Sequence, residues 1–289
     1  MIFLVPKKDG GQRPVINLKS LNKFVYTEHF KMEGIHILKD LLKAGDWMAK
    51  VHLKDAYFTI LIHKEDKAFL KFSFKGKIYQ FKCLLFGLAC APWVFTKILK
   101  PLAAQLRQLI VYIDDILFPA ESNEMARDHV MGLLYLLENL DFVISKRKCV
   151  LDPMQIIEFL GFSVNSVQQE LSLPARKVKK IRAKAWYLLE DSPATVRKLS
   201  QFLGRLQAAT RAVPLAPLFY QKLQQALQRV LEQSDKDYSV QLTLSTGEKE
   251  EAAVVAGSPV CLEWQDHYDR ETLSDSRIGC LNSGLGSFL

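Results

Sequence analysis

The sequence has no apolar stretch long enough to cross a bilayer. Runs such as Ile110–Tyr112 and Ile116–Phe118 are short, whereas a spanning helix needs about 18 apolar residues or more. A secretory leader is missing too: the opening MIFLV is too brief for an apolar core, and Lys7 and Lys8 follow it rather than precede it. A secreted or membrane protein is therefore not expected, and an intracellular one, cytoplasmic or nuclear, is. Cysteine is scarce: Cys83, Cys90, Cys149, Cys261 and Cys280 are odd in number, widely spread and without a C-x-x-C, which disfavours a disulfide framework or a structural zinc site. Internal repeats and low-complexity tracts are absent.

Negative charge is thin over most of the chain. Residues 1–230 hold 35 Lys and Arg against 20 Asp and Glu, a net of +15, while residues 231–289 hold 4 against 11, a net of −7. So basic a stretch suggests a polyanionic partner, a trait that nucleic-acid-binding, ribosomal and membrane-surface proteins share with some merely soluble ones. With 49% hydrophobic and 24% charged residues among 289, the chain can bury a core and is neither disordered nor collagen-like.

Turn residues and periodicity predict the elements. Residues 1–26 read as a hairpin with Asp9-Gly10-Gly11 at its turn and Lys7, Lys8 and Arg13 at its tip. Residues 35–44 read as a short helix, and Met48–Leu53 and Tyr57–His63 as strands. Ala68–Phe74 and Lys77–Lys82 read as a hairpin on Lys75-Gly76. Residues 92–109 are expected to be helical and kinked at Pro101, and a helix from the N-cap Ser122 to bury Ala126, Val130, Leu133, Leu137 and Leu140. Strands are expected at Phe142–Ile144 and Phe159–Val164. Amphipathic helices follow at 176–190, at 193–210 with Ser192 as its cap, and at 217–233. Beyond 234 the pattern weakens. The central β-α-ββ-α-β order implies an α+β fold with an antiparallel sheet.

The chemistry concentrates at Tyr112-Ile113-Asp114-Asp115, between the apolar strands Leu109–Tyr112 and Ile116–Phe118. Two adjacent carboxylates there are either a polar hairpin turn or a cation site, since neighbouring like charges are costly unless a cation neutralises them.

The ordered boxes resemble reverse transcriptases. Tyr112–Asp115 resembles the Tyr-x-Asp-Asp box. Lys7–Gly10 through Arg13–Asn22 resembles the fingers hairpin, and Asp55-Ala56-Tyr57-Phe58 the end of the first palm motif. Leu85–Pro92 resembles the Gly-x-x-x-x-Pro motif, Lys146–Cys149 the fourth motif, and Phe159-Leu160-Gly161-Phe162 the primer grip. The resemblance covers about residues 1–230. Arg197–Gly204 and Leu218-Phe219-Tyr220 point within the family to retrotransposons of the DIRS-like, tyrosine-recombinase group.

The resemblance implies a right-hand polymerase, with fingers at 1–26 and 61–90, palm at 27–60 and 91–170, thumb and connection helices at 171–233, and an acidic tail or ribonuclease H remnant at 234–289. It implies template-directed DNA synthesis on a primed RNA or DNA template from deoxynucleoside triphosphates, with two Mg²⁺ ions, or Mn²⁺, about 4 Å apart. Asp114 and Asp115 would be metal ligands, Lys148 a general acid to the pyrophosphate, and Lys7 and Arg13 phosphate clamps. Tyr57 would lie under the sugar, Phe86 and Gly87 along the nucleotide and template path, and Phe159, Leu160 and Gly161 in the primer grip.

One position departs from the pattern. Three residues before Asp55 the family has a metal-binding Asp, and here His52 stands. An imidazole supplies neither oxygen nor negative charge to Mg²⁺. This is either a decayed copy, impaired in catalysis and reduced to nucleic-acid binding, or a site for a softer ion such as Mn²⁺ or Zn²⁺. Asp55, an odd number of residues on, is expected to face the other way in a strand. The chain is also expected to begin inside the fingers and to stop where a ribonuclease H domain is due. Asp275 in Leu273–Gly279 faintly resembles that domain's first acid, with a surface role the alternative.

Overall fold

The computed structural model describes residues 2–6, 10–105, 109–190 and 193–257. An antiparallel hairpin, β1 (Ile2–Pro6) and β2 (Gln12–Ile16), comes first. After α1 (Ile35–Leu41) and β3 (Trp47–His52), a second hairpin is formed by β4 (Lys71–Phe74) and β5 (Lys77–Gln80). Next are α2 (Ala91–Gln105), β6 (Ile110–Tyr112), β7 (Asp115–Ala120) and α3 (Asn123–Asn139). Four strands follow: β8 (Val150–Met154), β9 (Ile156–Phe159), β10 (Phe162–Asn165) and β11 (Glu170–Ser172). The remainder is α4 (Ala175–Glu190), β12 (Ala194–Thr195), α5 (Val196–Ala209), α6 (Gln221–Gln233), β13 (Gln241–Leu242) and α7 (Thr246–Gly257).

The organising sheet is antiparallel with the order β6-β7-β3-β8. Alternation along β3 sends its apolar residues into two cores. Ala49 and Val51, with Val111, Ile116 and Phe118, pack on Phe95 and Leu99 of α2 and on Val130, Leu133 and Leu137 of α3. Met48, with Ile110 and Leu117, packs instead on Ile35 and Leu38 of α1, on Phe159 and Phe162, and on the helices that follow. Covered on both faces, β3 presents its polar side chains, Lys50 and His52, only on the second face. Ser122 Oγ accepts from Met125 N at 3.1 Å and caps α3 as expected, although Leu140, placed in its buried stripe, is exposed just past its end.

Several expected elements differ. Tyr57–His63 is not a strand: Asp55 takes φ 50°, ψ 41° and starts a 3-10 turn over Ala56–Thr59. Asp66–Leu70 is a second 3-10 turn, so β4 begins only at Lys71. Phe142–Ile144 makes a single bridge, Leu53 to Ile144. Phe159–Val164 is broken by a turn, with Leu160 at φ 47° and Gly161 at φ 79°, so it joins two strands rather than forming one. The cap of α5 is Thr195, whose Oγ1 accepts from Lys198 N, because residues 194–195 pair with β13 instead of entering the helix. Ser192 lies outside the described residues.

Residues 234–257, where the sequence pattern weakens, are folded. α7 packs on α4 and α6. Its Glu248, only 5% exposed, accepts from Ser245 N at 2.8 Å and from Arg229 at 3.1 Å. Glu251 accepts from Lys222 N and Leu223 N, both at 3.0 Å, and so caps the start of α6 from a neighbouring helix. Glu251→Ala is expected to lower stability by about 1 kcal/mol, the usual loss for a removed N-cap. The check is chemical denaturation; a variant with an unchanged midpoint would show that this cap carries no stability.

Candidate active site

The site grows from the end of β3. In the β3–β7 register His52 faces Asp115, and in the β6–β7 register Tyr112 faces the same aspartate. The two-residue turn between β6 and β7 is Ile113-Asp114. Ile113 takes φ 50°, a left-handed conformation that β-branched residues avoid and that costs roughly 1–3 kcal/mol. Buried strands on either side impose it. Leu53 N donates to Asp114 O at 2.8 Å and fastens the turn to the chain leaving β3.

His52 Nδ1 lies 2.9 Å from Asp115 Oδ1, and its Nε2 lies 3.3 Å from Lys148 Nζ. An ammonium can only donate, so Nε2 accepts and the ring proton sits on Nδ1, donated to the carboxylate. The backbone of His52 is held as firmly. Ser145 N donates to its carbonyl at 2.8 Å, and its own N–H donates to Cys149 Sγ at 3.3 Å. The short 3-10 turn Lys146–Lys148 is thereby pinned beside the strand. Cys149, a residue that spacing alone left as an ordinary thiol, supplies that link.

Tyr57 is 3% exposed and packs on Phe86 at 4.7 Å between centroids and edge-on to Phe95 at 5.2 Å. Its hydroxyl is pushed up to about 12, first by burial and then by the charge of Asp114 and by Tyr112. Gly87 sits at φ 92° in the loop before α2. Asn22 grips that loop, donating through Nδ2 to Gly87 O and accepting at Oδ1 from Ala89 N, both at 2.9 Å. Asn22 joins the β1–β2 region to the loop of Phe86; its place two motifs away in sequence hid this role.

Other expected site residues lie apart or beyond description. Arg13 is on β2 opposite Val5. Lys7 and Asp275 lie outside the described residues. Phe159, Leu160 and Gly161 form the β9–β10 turn, where a Cβ on Gly161 would fall on Lys177 Nζ. Burial holds the Lys177 ammonium below its ordinary value, and it lies over the Phe162 ring at 5.1 Å. The reasoning that pointed Asp55 to the opposite face fails because the strand ends at His52.

The donor set departs from that of a Mg²⁺ site, which takes oxygen ligands in near-octahedral array. Both ring nitrogens of His52 are engaged, one on the carboxylate that a cation would need. Among the described residues no group of three His, Cys, Asp or Glu is placed to hold a metal ion. No catalytic step is assigned to a metal.

The family model described as reverse transcriptase (RNA-dependent DNA polymerase) matches residues 5–164, more than half of the chain. The chain belongs to the reverse transcriptase family. It is similar to the transposon Tf2-3 polyprotein of Schizosaccharomyces pombe, 25% identical over 215 residues that cover 74% of this chain and 16% of the relative. The Tf2-7 polyprotein of the same yeast matches to the same extent. The chain thus spans about one sixth of the length of the curated relatives it matches. Among solved structures it is similar to a foamy viral protease-reverse transcriptase in complex with RNA/DNA hybrid. The TM-score is 0.71 at 19% identity, covering 88% of this chain and 32% of the other. A second structure of that protein, with double-stranded DNA, gives a TM-score of 0.70 at 21% identity and covers 88% and 43%. The architecture is the α+β polymerase fold. No helix of the described residues is long and apolar enough to cross a membrane.

Tyr57 gives this reverse transcriptase fold a measurable pH dependence. An unfolded tyrosine ionises near pH 10, so from about pH 10 the unfolded chain releases a proton that the folded chain keeps until about pH 12. Stability therefore falls across that window. Tyr57→Phe should make the decline in denaturation midpoint shallower there; identical slopes in the two proteins would mean that Tyr57 ionises normally.

Proposed function

We propose that the chain is the RNA-directed DNA polymerase module of a retrotransposon, built for template-directed DNA synthesis and impaired in this copy at His52. The observation that carries the proposal is the 2.9 Å hydrogen bond between His52 and Asp115, with Lys148 3.3 Å behind the ring. Where the family pattern sets a second carboxylate for two divalent ions, an imidazole occupies one of the two aspartates and an ammonium stands beside it. Asp114, Asp115 and Lys148 remain as the catalytic set that the resemblance implies, with Mg²⁺ or Mn²⁺ as its cofactor. Tyr57, Phe86 and Gly87, together with Lys7 and Arg13, are the nucleotide-binding set, and Phe159–Gly161 the primer grip. Fingers at 1–26 and 61–90, palm at 27–60 and 91–170, thumb and connection helices at 171–233, and an acidic tail or ribonuclease H remnant at 234–289 follow the same resemblance; within the last, α7 packs on α4 and α6. The strings Arg197–Gly204 and Leu218–Tyr220 favour a DIRS-like element, and we infer an intracellular setting.

The partners proposed are a primed RNA or DNA template and deoxynucleoside triphosphates. The foamy viral relatives are described with RNA/DNA hybrid and double-stranded DNA, and the net +15 of residues 1–230 suits a polyanion. Hybrid-duplex affinity should fall steeply with salt, because each neutralised phosphate releases counterions. Titration of a labelled hybrid at two salt concentrations tests this; affinity indifferent to salt would remove nucleic acid from the proposal.

Primer extension on an RNA template tests the catalytic part. Losing one of two bridging carboxylates costs roughly three orders of magnitude in rate, since the ions supply several kcal/mol and each 1.36 kcal/mol is tenfold. His52→Asp is therefore expected to extend primers faster than the unmodified chain, and its thermal midpoint should rise with added Mg²⁺ as a bound ligand requires. Equal rates in Mg²⁺ for the two proteins would displace His52 from the role proposed. Duplex binding by both proteins with extension by neither would favour a non-catalytic nucleic-acid-binding remnant.

A further inference from the structure

The β4–β5 hairpin stands as a two-stranded sheet of its own, and it carries apolar side chains that nothing among the described residues covers. On one face, Phe72 pairs with Tyr79 and Phe74 with Lys77. Phe74 and Tyr79 are each 45% exposed. An exposed apolar patch of this kind marks a site of interaction.

The rings are arranged in a line. Tyr79 lies 6.5 Å from Phe74 and 5.6 Å from Phe72, and Phe72 lies 5.3 Å from Phe81. Phe81 continues to Phe58 at 6.5 Å, and Phe58 to Phe86 at 5.7 Å. The last ring packs on Tyr57 beside Asp114. An unbroken aromatic series thus leads from the candidate active site to the exposed hairpin.

The charge along the hairpin itself is of one sign. From residue 67 to residue 113 the sequence holds seven Lys and one Arg, and neither Asp nor Glu. Lys71, Lys75 and Lys77 are exposed on the hairpin. Lys75 and Gly76, at φ 49° and 74°, make the tight turn that sets Lys75 and Lys77 at its tip, and Lys75 Nζ lies 5.6 Å from the Phe74 ring centroid.

We propose that this hairpin is a binding site for single-stranded nucleic acid, with Phe74 and Tyr79 stacking on unpaired bases and Lys75 and Lys77 meeting the phosphates. Exposed rings beside cations, on a hairpin that carries no acid of its own, fit a ligand that offers π faces and negative charge along one strand. A duplex does not, because its base faces are hidden in its own stack. That the strand is the template ahead of the nucleotide rests on the polymerase reading; the binding itself rests on the hairpin.

Fluorescence anisotropy of the full chain tests it with two labelled probes, a blunt RNA/DNA hybrid and the same hybrid with a 5′ template overhang of about ten nucleotides, within the span that such surfaces cover. The overhang is expected to bind about tenfold tighter than the blunt hybrid. The Phe74→Ala/Tyr79→Ala double variant should lose that gain and keep the blunt affinity, while Tyr79→Phe should keep both. Lys77→Ala, which leaves every ring in place, should halve the gain or more and lessen its dependence on salt. Equal affinity for the two probes in the unmodified chain would overturn the proposal, as would equal weakening of both probes by the double variant. Failure to bind the blunt hybrid, with the overhang still held through Tyr79, would sink the polymerase reading and leave this site standing. Oligomerisation of the unmodified chain that the Phe74→Ala/Tyr79→Ala double variant abolishes, with no overhang gain, would assign the surface to a second copy instead.

Discussion

The register between β3 and β7 is the constraint on which the site depends. With side chains alternating every residue, a slip of β3 by one position would turn His52 away from Asp115 and toward the α2–α3 core. Burial on both faces prevents that slip. Ala49, Val51, Ile116 and Phe118 fit only one core, while Met48 and Leu117 fit only the other. The polar pair at the end of the ladder is therefore aimed by the apolar packing of its neighbours along both strands. The strained turn at Ile113 persists for the same reason: both of its flanking strands are fixed by cores that lose far more than a few kcal/mol if they move.

The imidazole at position 52 changes what the site needs in order to be stable. Two carboxylates facing each other across a half-buried ladder would repel, and the fold would depend on a cation to join them. His52 removes that dependence: its Nδ1–H donates a hydrogen bond to Asp115, and its Nε2 accepts one from the Lys148 ammonium. The three side chains satisfy one another without a ligand. At this one position an imidazole links an aspartate to a lysine where a second carboxylate would repel the first.

The sequence disclosed the site better than the path of the chain around it. Tyr112–Asp115 and Lys75-Gly76 were legible because apolar strands flank residues that can only turn. Asp55 was not, since a non-glycine residue at positive φ gives no compositional sign that a strand has ended at His52. Leu160-Gly161 was hidden likewise: with leucine at φ 47°, a hairpin turn reads as continued strand. Asn22 could not be weighed until the fold set it against Gly87. A readable sign was passed over in Ser245-Thr246-Gly247-Glu248, the spacing of a capping box, and Glu248 does reach back to Ser245 N. It marks the start of α7 in a stretch that looked only like acidic surface.

Residues 234–257 also bear on how the basic charge is presented. Acidity along a sequence does not say whether it faces outward. In α7, Glu248 is spent on Arg229 and on its own helix start, and Glu251 on the first amides of α6. α4 packs on the same helix through Val178, Ile181, Ala185 and Leu188, while its exposed Arg176, Lys179 and Lys180 face solvent. Arg176 pairs with Glu158 of the β9–β10 hairpin, and none of these three has an ion pair to an α7 acid among those of the described residues. Glu248 and Glu251 thus hold the helices together without pairing with the cations of α4. Long-range attraction of a polyanion depends on where surface charge is left uncompensated rather than on net charge alone, and Lys179 and Lys180, exposed on α4, contribute to it.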